Sequence, residues 1–194
     1  MSNYYNKYSE KYFNDTVQVD VSELYKPFLD RLPDKAIILD AGCGSGRDSL
    51  FFLNNGFDVT AIDASSEMAK LASEYIGFPV SVMFFQDIDW IEKFDAIWAC
   101  ATLLHVPQKE ILSVFEKLST SLKSNGFIDG SFKYGSGERY TKEGRIFLDM
   151  NEDDLSNIIK QIPTLSIEKL WTTNDVRPGR EHEKWLNFIV RKCS

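Results

Sequence analysis

The sequence predicts a doubly wound α/β domain, in which helices cover both faces of a largely parallel β-sheet. Three observations predict this fold. Apolar runs of strand length alternate with amphipathic helical segments, a glycine-rich turn joins the first strand to a helix, and acidic residues stand where strands end. No repeat, low-complexity tract or linker interrupts the chain, so we expect one domain over residues 1–194.

Short apolar runs predict the strands, because a strand of a parallel sheet is buried on both faces. The predicted strands are residues 36–39, 57–62, 79–85, 94–99, 127–132, 165–171 and 185–190. No helix signal separates the last two, which favours an antiparallel hairpin. Apolar residues recurring three or four positions apart predict the helices. These are residues 4–15, 21–32, 48–54, a helix capped by Ser65, residues 107–123 and a helix that begins at Asn151.

Composition restricts the classes of function. No apolar run reaches the roughly 18–20 residues that span a bilayer, and the N-terminus lacks the basic-then-apolar order of a signal peptide. The cysteines Cys43, Cys100 and Cys193 lie far apart, so neither a metal cluster nor a disulfide framework is expected. A net charge of −7 and a pI of about 4.9 disfavour a broad nucleic-acid footprint. We expect a cytoplasmic protein that acts on a small molecule.

The segment LDAGCGSG, residues 39–46, is the most informative part of the chain. Its glycines allow a tight turn and a close approach of backbone to ligand, and the N–H groups of the loop favour a negatively charged group. A dinucleotide site would have a third glycine where this chain has Arg47. Asp40 would also crowd a pyrophosphate. A carboxylate there suits an ammonium, such as the methionine end of S-adenosylmethionine.

Further acids follow the next strands, and ligands of such sheets bind beyond the carboxyl ends of the strands. Asp63 stands where an acid can accept hydrogen bonds from both ribose hydroxyls, and Asp87 can accept one from an adenine amino group. Met68 and Ile88 can sandwich the adenine ring. Each acid alone is equally consistent with a strand-end turn or a helix cap, but together they favour a nucleoside ligand.

Four motifs resemble the class I S-adenosylmethionine-dependent methyltransferases: LDAGCGSG, VTAID (59–63), Gln86-Asp87 and FDAIW (94–98). The segment WACATLLHVP (98–107) is similar to the small-molecule methyltransferases grouped with tellurite-resistance proteins. The resemblance covers nearly the whole chain and implies a Rossmann-like, seven-stranded sheet with the last strand antiparallel. It implies S-adenosylmethionine as cofactor, and N-terminal helices (residues 1–32) that cap it. The donor-binding residues expected are Tyr12, Asp40, Ala41, Gly42, Cys43, Gly44, Gly46, Asp63, Ala64, Met68, Asp87, Ile88 and Cys100.

Methyl transfer from a sulfonium is an in-line displacement, so the protein mainly aligns the reactants and excludes water. A base is needed only when the acceptor carries a proton that it cannot lose freely. His105 is the candidate base, and the alternative is a capping or packing residue at a helix start. An anionic acceptor such as a thiolate, carboxylate or chalcogen anion needs no base. Tyr12, expected to close over the donor, can equally be a helix-packing residue.

Two loops are candidates for reading the acceptor. Residues 133–140 follow a strand and resemble a mobile lid, and residues 177–182 carry arginines that can hold a carboxylate or phosphate. The alternative is an ordinary surface loop in both cases. The acceptor-binding residues expected are Tyr4, Tyr5, Lys133, Tyr134, Arg177 and Arg180.

The favoured function is methyl transfer to a small molecule of anionic or metalloid chemistry. One alternative is a methyltransferase that modifies RNA, which a basic patch would favour. That patch would contain Lys133, Arg139, Lys142, Arg145, Arg177 and Arg180. The other is a non-catalytic module that binds S-adenosylmethionine. The sequence does not specify the acceptor atom or the oligomeric state.

Overall fold

The computed structural model describes residues 2–177 and 179–193. Its strands are β1 (Ile37–Ala41), β2 (Asp58–Asp63), β3 (Val80–Val82), β4 (Phe94–Ala99), β5 (Leu122–Lys133), β6 (Gly137–Tyr140), β7 (Ile146–Asp149), β8 (Leu165–Asn174) and β9 (Lys184–Lys192). Its helices are α1 (Ser2–Lys7), α2 (Ser9–Thr16), α3 (Ser22–Leu29), α4 (Arg47–Asn54), α5 (Ser66–Ile76), α6 (Ile111–Ser121) and α7 (Glu152–Ile159). Short 3-10 turns form at Phe85–Asp87 and Leu103–His105.

Seven strands form one sheet in the order β3-β2-β1-β4-β5-β9-β8. The five strands from β3 to β5 are parallel, whereas β9 is antiparallel to both of its neighbours. The predicted fold class is therefore confirmed, including the antiparallel last strand and the closing hairpin. The strand order reverses between β1 and β4, which is where a doubly wound sheet opens a crevice for a ligand.

The sheet is covered on both faces, and successive residues of β1 show how. Leu39 packs in the core on the side of α6 and α7, and its neighbour Ile38 packs in the core on the side of α3 and α4. Both side chains are fully buried. Because successive side chains of a strand point to opposite faces, burial on both faces requires the unbroken apolar runs seen in the sequence.

Several predicted elements differ from the structure in their bounds, since the helix predicted over residues 107–123 is Ile111–Ser121 and β5 begins at Leu122. Two further differences involve segments that line the cavity. The helix predicted over residues 4–15 is two helices, because Tyr8 has φ −118° and ψ 24° and interrupts the helical backbone between α1 and α2. The strand predicted over residues 79–85 pairs with β2 only at Val80–Val82, at the sheet edge. The chain then leaves the edge and forms the 3-10 turn, so its apolar residues up to Phe85 do not extend the strand.

The sequence analysis missed a second, two-stranded sheet. Residues 133–140, interpreted as a mobile lid, complete β5 and then form β6, which pairs with β7 as an antiparallel hairpin. A bridge between Tyr134 and Met150 joins this hairpin to the end of β5. The sequence of β6, Gly-Glu-Arg-Tyr, lacks the apolar alternation that identifies a half-buried strand.

The structure also bears on the membrane question. In the described parts of the chain, every helix is too short or too polar to cross a bilayer.

Candidate functional site

A cavity of about 1180 Å³ opens at the carboxyl ends of the parallel strands. Segments that follow β1, β2 and β4 line it, and so do the end of β5 and the β6–β7 hairpin. Small-molecule sites commonly have volumes of about 300–1,000 Å³, so this cavity has room for two ligands side by side. The position is the crevice that the fold predicts.

The glycine loop that joins β1 to α4 depends on close packing. Gly42 has φ +80°, and a Cβ there would lie 2.0 Å from Thr102 Oγ1. A Cβ on Gly46, which has φ +78°, would lie 2.9 Å from the side chain of Ile76. Only glycine satisfies both the left-handed backbone and the lack of space. These two glycines therefore let the loop pack closely. Gly42 packs against the segment that follows β4, and Gly46 packs against α5.

The N–H groups of this loop are already hydrogen-bonded within the protein. Gly42 and Cys43 both donate to the carbonyl oxygen of Ile62, at 2.8 and 2.9 Å. Gly44 donates to Asp63 Oδ2 at 2.9 Å. These three N–H groups are therefore engaged within the protein, and attraction of a negatively charged group to the start of α4 stays a prediction. A phosphate cradle needs free N–H groups, so this finding agrees with the exclusion of a dinucleotide.

Asp40 lies behind the loop rather than on the cavity wall. Its carboxyl is buried and accepts a hydrogen bond from Ser49 Oγ at 2.5 Å. Burial, followed by the charge of Asp48, raises the Asp40 pKa to about 8. The carboxyl joins β1 to α4, and Asp40 is not among the residues that line the cavity.

A buried polar network supports the loop from below, and the sequence analysis missed it. Asp48 accepts hydrogen bonds from Tyr25 Oη at 2.7 Å and Trp98 Nε1 at 2.8 Å, and Arg47 Nε lies 2.7 Å from its Oδ1. Burial raises the Asp48 pKa, but the Arg47 charge and these hydrogen bonds outweigh it and lower the pKa overall. The sign of this network in the sequence is Arg47, which stands where a dinucleotide site would have its third glycine.

Asp63 lines the cavity at the end of β2. Its Oδ2 accepts from the Gly44 N–H, and its Oδ1 accepts from the Ser65 N–H at 2.8 Å. Each carboxylate oxygen still has a lone pair for a ligand hydroxyl. Burial raises its pKa, and the two backbone hydrogen bonds oppose that rise. The geometry therefore suits the predicted pair of ribose contacts.

The N-terminal helices cover the loop. A Cβ built on Gly44 would lie 3.6 Å from Tyr12 Cε1, and the Tyr12 ring contacts that of Tyr5 edge to face at 5.0 Å between centroids. Asn6 Oδ1 accepts a hydrogen bond from Ser65 Oγ at 2.6 Å, which ties α1 to the start of α5. Tyr12 and Tyr5 both line the cavity.

His105 also lines the cavity, and both of its ring nitrogens are engaged. Nδ1 lies 2.8 Å from the carbonyl oxygen of Ile146, and Nε2 lies 2.6 Å from Tyr5 Oη. A carbonyl oxygen can only accept, so Nδ1 carries the proton and Nε2 accepts from the Tyr5 hydroxyl. Burial lowers the His105 pKa to about 4 and raises the pKa of Tyr5. The ring is therefore neutral near neutral pH.

Basic side chains concentrate around the β6–β7 hairpin and the end of β5. Arg139 pairs with Asp149 at 2.5 Å, and its guanidinium lies over the Phe147 ring. Lys133 pairs with Asp175 at 2.9 Å and with Glu183.

Asp175 organises this wall of the cavity. It also accepts hydrogen bonds from Arg177, at 2.5 and 2.9 Å, and from Trp185 Nε1 at 3.1 Å. Burial opposes ionisation of Asp175, but hydrogen bonds from Arg177 and Lys133 lower its pKa overall. Lys133 and Arg177, predicted to hold an acceptor anion, therefore already have a carboxylate partner.

The cavity has two sides of opposite charge. The glycine-loop side is formed by the α2–α3 connection, the loop and the end of β2. Its charged lining residues are Asp15, Asp20, Glu23, Arg47, Asp48 and Asp63. The hairpin side is formed by the end of β5, the β6–β7 hairpin and the connection between β8 and β9. Its charged lining residues are Lys133, Arg139, Arg145, Asp175, Arg177, Arg180 and Glu183. The first side is predominantly acidic and the second predominantly basic.

The structure brings most of the predicted site residues to this one cavity. Those that line it are Tyr5, Tyr12, Gly42, Cys43, Gly44, Asp63, Ala64, Met68, Cys100, His105, Lys133, Arg177 and Arg180. Burial raises the pKa of Cys100 to about 12, so its thiol stays protonated. Pro178, within the predicted 177–182 loop, lies outside the described residues.

Other predicted residues lie outside the lining: Tyr4, Asp40, Ala41, Gly46, Asp87, Ile88 and Tyr134. Two of these residues, Asp87 and Ile88, were predicted to contact the adenine, and those contacts stay predictions. Ile88 is buried in the core, and Asp87 is exposed at the end of the 3-10 turn, which brings Gln86 to the cavity instead. Tyr134 is 43% exposed and donates to Glu152 at 3.0 Å, away from the cavity. Ala41 is buried in the core.

Tyr4 packs on the Tyr8 ring and under the guanidinium of Arg145. The sequence analysis also missed lining residues whose role depends on distant segments. These are Met83, Phe85, Gln86, Thr102, Phe147, Trp185 and Asn187.

Comparison with known proteins identifies the class of domain. Residues 38–126 match a family model described as a methyltransferase domain. YqeM of Bacillus subtilis (strain 168) is 31% identical over 104 residues, which are 50% of this chain and 42% of that protein. The 2-methyl-6-phytyl-1,4-hydroquinone methyltransferase of Synechocystis sp. is 30% identical over 106 residues, which are 52% of this chain and 33% of that enzyme. These alignments span less than half the length of either relative.

A solved structure extends the comparison to the whole chain. Burkholderia thailandensis 1,6-didemethyltoxoflavin-N1-methyltransferase, with 1,6-didemethyltoxoflavin and S-adenosylhomocysteine bound, has a TM-score of 0.77 at 22% identity. The match covers 99% of this chain and 85% of that one. At this identity the likeness is one of fold. It confirms the Rossmann-like sheet.

Proposed function

We propose that this protein binds S-adenosylmethionine on the glycine-loop side of the cavity and transfers its methyl group to a small, anionic acceptor on the hairpin side. The observation that carries the proposal is the opposite charge of the two sides within one cavity. S-adenosylmethionine carries a sulfonium and an ammonium, which an acidic wall stabilises. An anionic acceptor is stabilised by the basic wall. The two charges thus direct the two reactants to opposite ends.

On the glycine-loop side, the residues present fit the donor. Asp63 has free lone pairs for the ribose hydroxyls, and Met68 offers apolar surface to the adenine ring. Tyr12 lies over Gly44 and closes the site, so we propose that residues 1–32 cap the donor. The bound donor supplies an activated methyl group, and the protein's part is to align the acceptor with it and to exclude water.

His105 is our candidate for receiving a proton, and it acts through Tyr5. When an acceptor retains a proton, that proton passes to the Tyr5 oxygen as the Tyr5 hydroxyl proton passes to His105 Nε2. The hydrogen bond of 2.6 Å between Tyr5 and His105 provides the path. With a pKa of about 4, His105 is a weak base. The relay therefore suits acidic acceptors, and an acceptor that is already anionic does not need it.

A small acceptor is favoured over RNA by how the cationic side chains are used. Lys133, Arg139 and Arg177 each pair with a carboxylate, and Arg180 lies 3.9 Å from Glu183. Five cations and two carboxylates line the hairpin side, so the remaining positive charge can stabilise one small anion but does not form the broad basic patch that RNA binding needs. A metalloid oxyanion is one acceptor of the proposed class, in keeping with the tellurite-type resemblance of residues 98–107.

The first experiment separates donor binding from methyl transfer. S-adenosylhomocysteine at about 100 times its Kd should raise the Tm by about 5–10 °C, whereas NAD should leave it unchanged. S-adenosylmethionine with a labelled methyl group is then incubated with a small-metabolite extract and, separately, with total tRNA. Label is expected in the metabolite fraction only. No binding of either sulfur compound would overturn the proposal, label in tRNA would support the RNA alternative, and binding without labelled product would support the non-catalytic module.

A further inference from the structure

One cavity cation differs from all the others. Six basic residues line the cavity in the described structure, and five of them lie within 4.0 Å of a carboxylate oxygen: Arg47, Lys133, Arg139, Arg177 and Arg180. The sixth is Arg145, at the turn of the β6–β7 hairpin, and no such ion pair is found for it among the described residues. A buried or half-buried guanidinium normally has an anionic partner. The Arg145 guanidinium therefore differs from the usual case among the described residues.

Arg145 also has an unsatisfied donor. Its Nε is buried and has no hydrogen-bond partner within the described structure. A buried donor without a hydrogen-bond partner costs folding free energy, and a ligand that supplies an acceptor would offset that cost. The planar guanidinium presents Nε–H and Nη–H in the fork that matches the two oxygens of a carboxylate.

Aromatic rings fix the orientation of this guanidinium. It lies 4.3 Å from the centroid of the Tyr4 ring and 5.2 Å from that of Phe147. Its charge and its hydrogen bond to the Tyr5 side chain both oppose the rise in the Tyr5 pKa that burial causes. The hydroxyl of Tyr5 in turn bonds to His105. The unpaired cation therefore lies beside the groups proposed to handle the acceptor.

We propose that Arg145 is the receptor for a carboxylate group of the acceptor, and that the acceptor is a flat, aromatic or conjugated carboxylic acid. The aromatic residues Tyr5 and Phe147 line the cavity beside it and favour a planar molecule. The assignment to the acceptor, rather than to the methionine carboxylate of the donor, rests on the proposed function. It is also favoured by position, because Arg145 stands on the hairpin side.

Sodium benzoate is a suitable probe, and benzamide is its neutral counterpart of the same shape. Binding is measured by calorimetry and by the Nε–H resonance of Arg145, in the free protein and in protein saturated with S-adenosylhomocysteine. Benzoate should bind in both states and shift that resonance, and benzamide should bind at least about tenfold more weakly. Arg145→Gln should weaken benzoate binding about tenfold or more, while the affinity for S-adenosylhomocysteine stays within about twofold.

Lys142→Gln is the matched control, because Lys142 is exposed on the same hairpin turn and lies outside the cavity lining. It removes the same charge and should leave benzoate binding unchanged. Equal loss in both variants would overturn the proposal by showing a general charge effect, and so would benzoate binding that is unaffected by Arg145→Gln. If Arg145→Gln instead weakens S-adenosylhomocysteine, the carboxylate belongs to the donor and the assignment is wrong. Failure of the proposed function gives a different result. In that case the wild-type protein does not bind S-adenosylhomocysteine, although it still binds benzoate through Arg145.

Discussion

The glycine-loop side and the hairpin side of the cavity share one space but are made in different ways. The glycine-loop side depends on backbone: Gly42 and Gly44 hold conformations with positive φ, and their N–H groups bond to Ile62 and Asp63. The hairpin side depends on long side chains held by ion pairs, as Asp175 holds Lys133. One side is acidic and the other basic.

This difference shows where each side is sensitive. A backbone loop with no free space is disrupted by a single added carbon, because it cannot move without breaking its own hydrogen bonds. A wall of ion-paired side chains tolerates small changes in shape, but it responds to ionisation and to the removal of a partner. Substitutions on the glycine-loop side and on the hairpin side should therefore change different measured properties of the protein.

The largest effect is expected from Gly42→Ala. The new Cβ would lie 2.0 Å from Thr102 Oγ1, at a residue with φ +80°. Backbone strain and overpacking together should lower the free energy of unfolding by about 2–5 kcal/mol. Gly56→Ala is the matched control, since Gly56 has φ +83° and nothing within 4 Å of its added Cβ. Chemical denaturation should show a loss of only about 1–2 kcal/mol there. Equal losses would mean that strain alone, and not close packing, defines the loop.

The second effect is on ligand affinity. Asp63→Ala removes the acceptor proposed for both ribose hydroxyls, and should weaken S-adenosylhomocysteine binding about 100-fold in calorimetry. Asp58→Ala is the control, because Asp58 is an exposed acid at the other end of the same strand. The affinity of Asp58→Ala for S-adenosylhomocysteine should match that of the wild type. Unchanged affinity in Asp63→Ala would contradict the ribose contact and would remove the main donor-binding role from the glycine-loop side.

The smallest effect tests His105, which bonds to Ile146 of the hairpin, and it depends on pH. Burial holds the His105 pKa at about 4, below the value of about 6.5 in the unfolded chain. The stabilisation from neutral His105 is therefore complete above about pH 6.5 and is lost as pH falls toward about 4. Between about pH 7 and about pH 5, the wild type should lose about 2 kcal/mol more than His105→Gln does.

His182→Gln provides the control, because His182 is exposed and is the second of the two histidines. This variant should keep the pH dependence of the wild type when the proteins are compared by denaturation at each pH. If His105→Gln also keeps it, then His105 is not held neutral by burial. The Tyr5 relay would then lack its neutral proton acceptor, and the role proposed for His105 would be wrong.

The two sides of the cavity could be predicted from the sequence to different extents. β4 was predicted at its observed bounds, Phe94–Ala99, and the glycine loop was placed between β1 and α4, because both depend on short, local patterns. Asp63 was also predicted as a cavity residue from its position along the chain, and Tyr12 from the resemblance to a known family. The β6–β7 hairpin was not predicted, because its polar strand has no periodic signal. Arg145 was considered only as part of a basic patch, since its lack of a partner depends on contacts with distant segments.

What the sequence determined by itself is therefore the sheet, the turn at its centre and the class of the domain. Unbroken apolar runs and glycines constrain the backbone directly, and these constraints act between residues close in the chain. Only the tertiary structure decided which charges are free. Asp175 neutralises Lys133 across 42 positions, and His105 meets Tyr5 across 100. Electrostatic partnership depends on distance in space, which no local pattern of residues encodes.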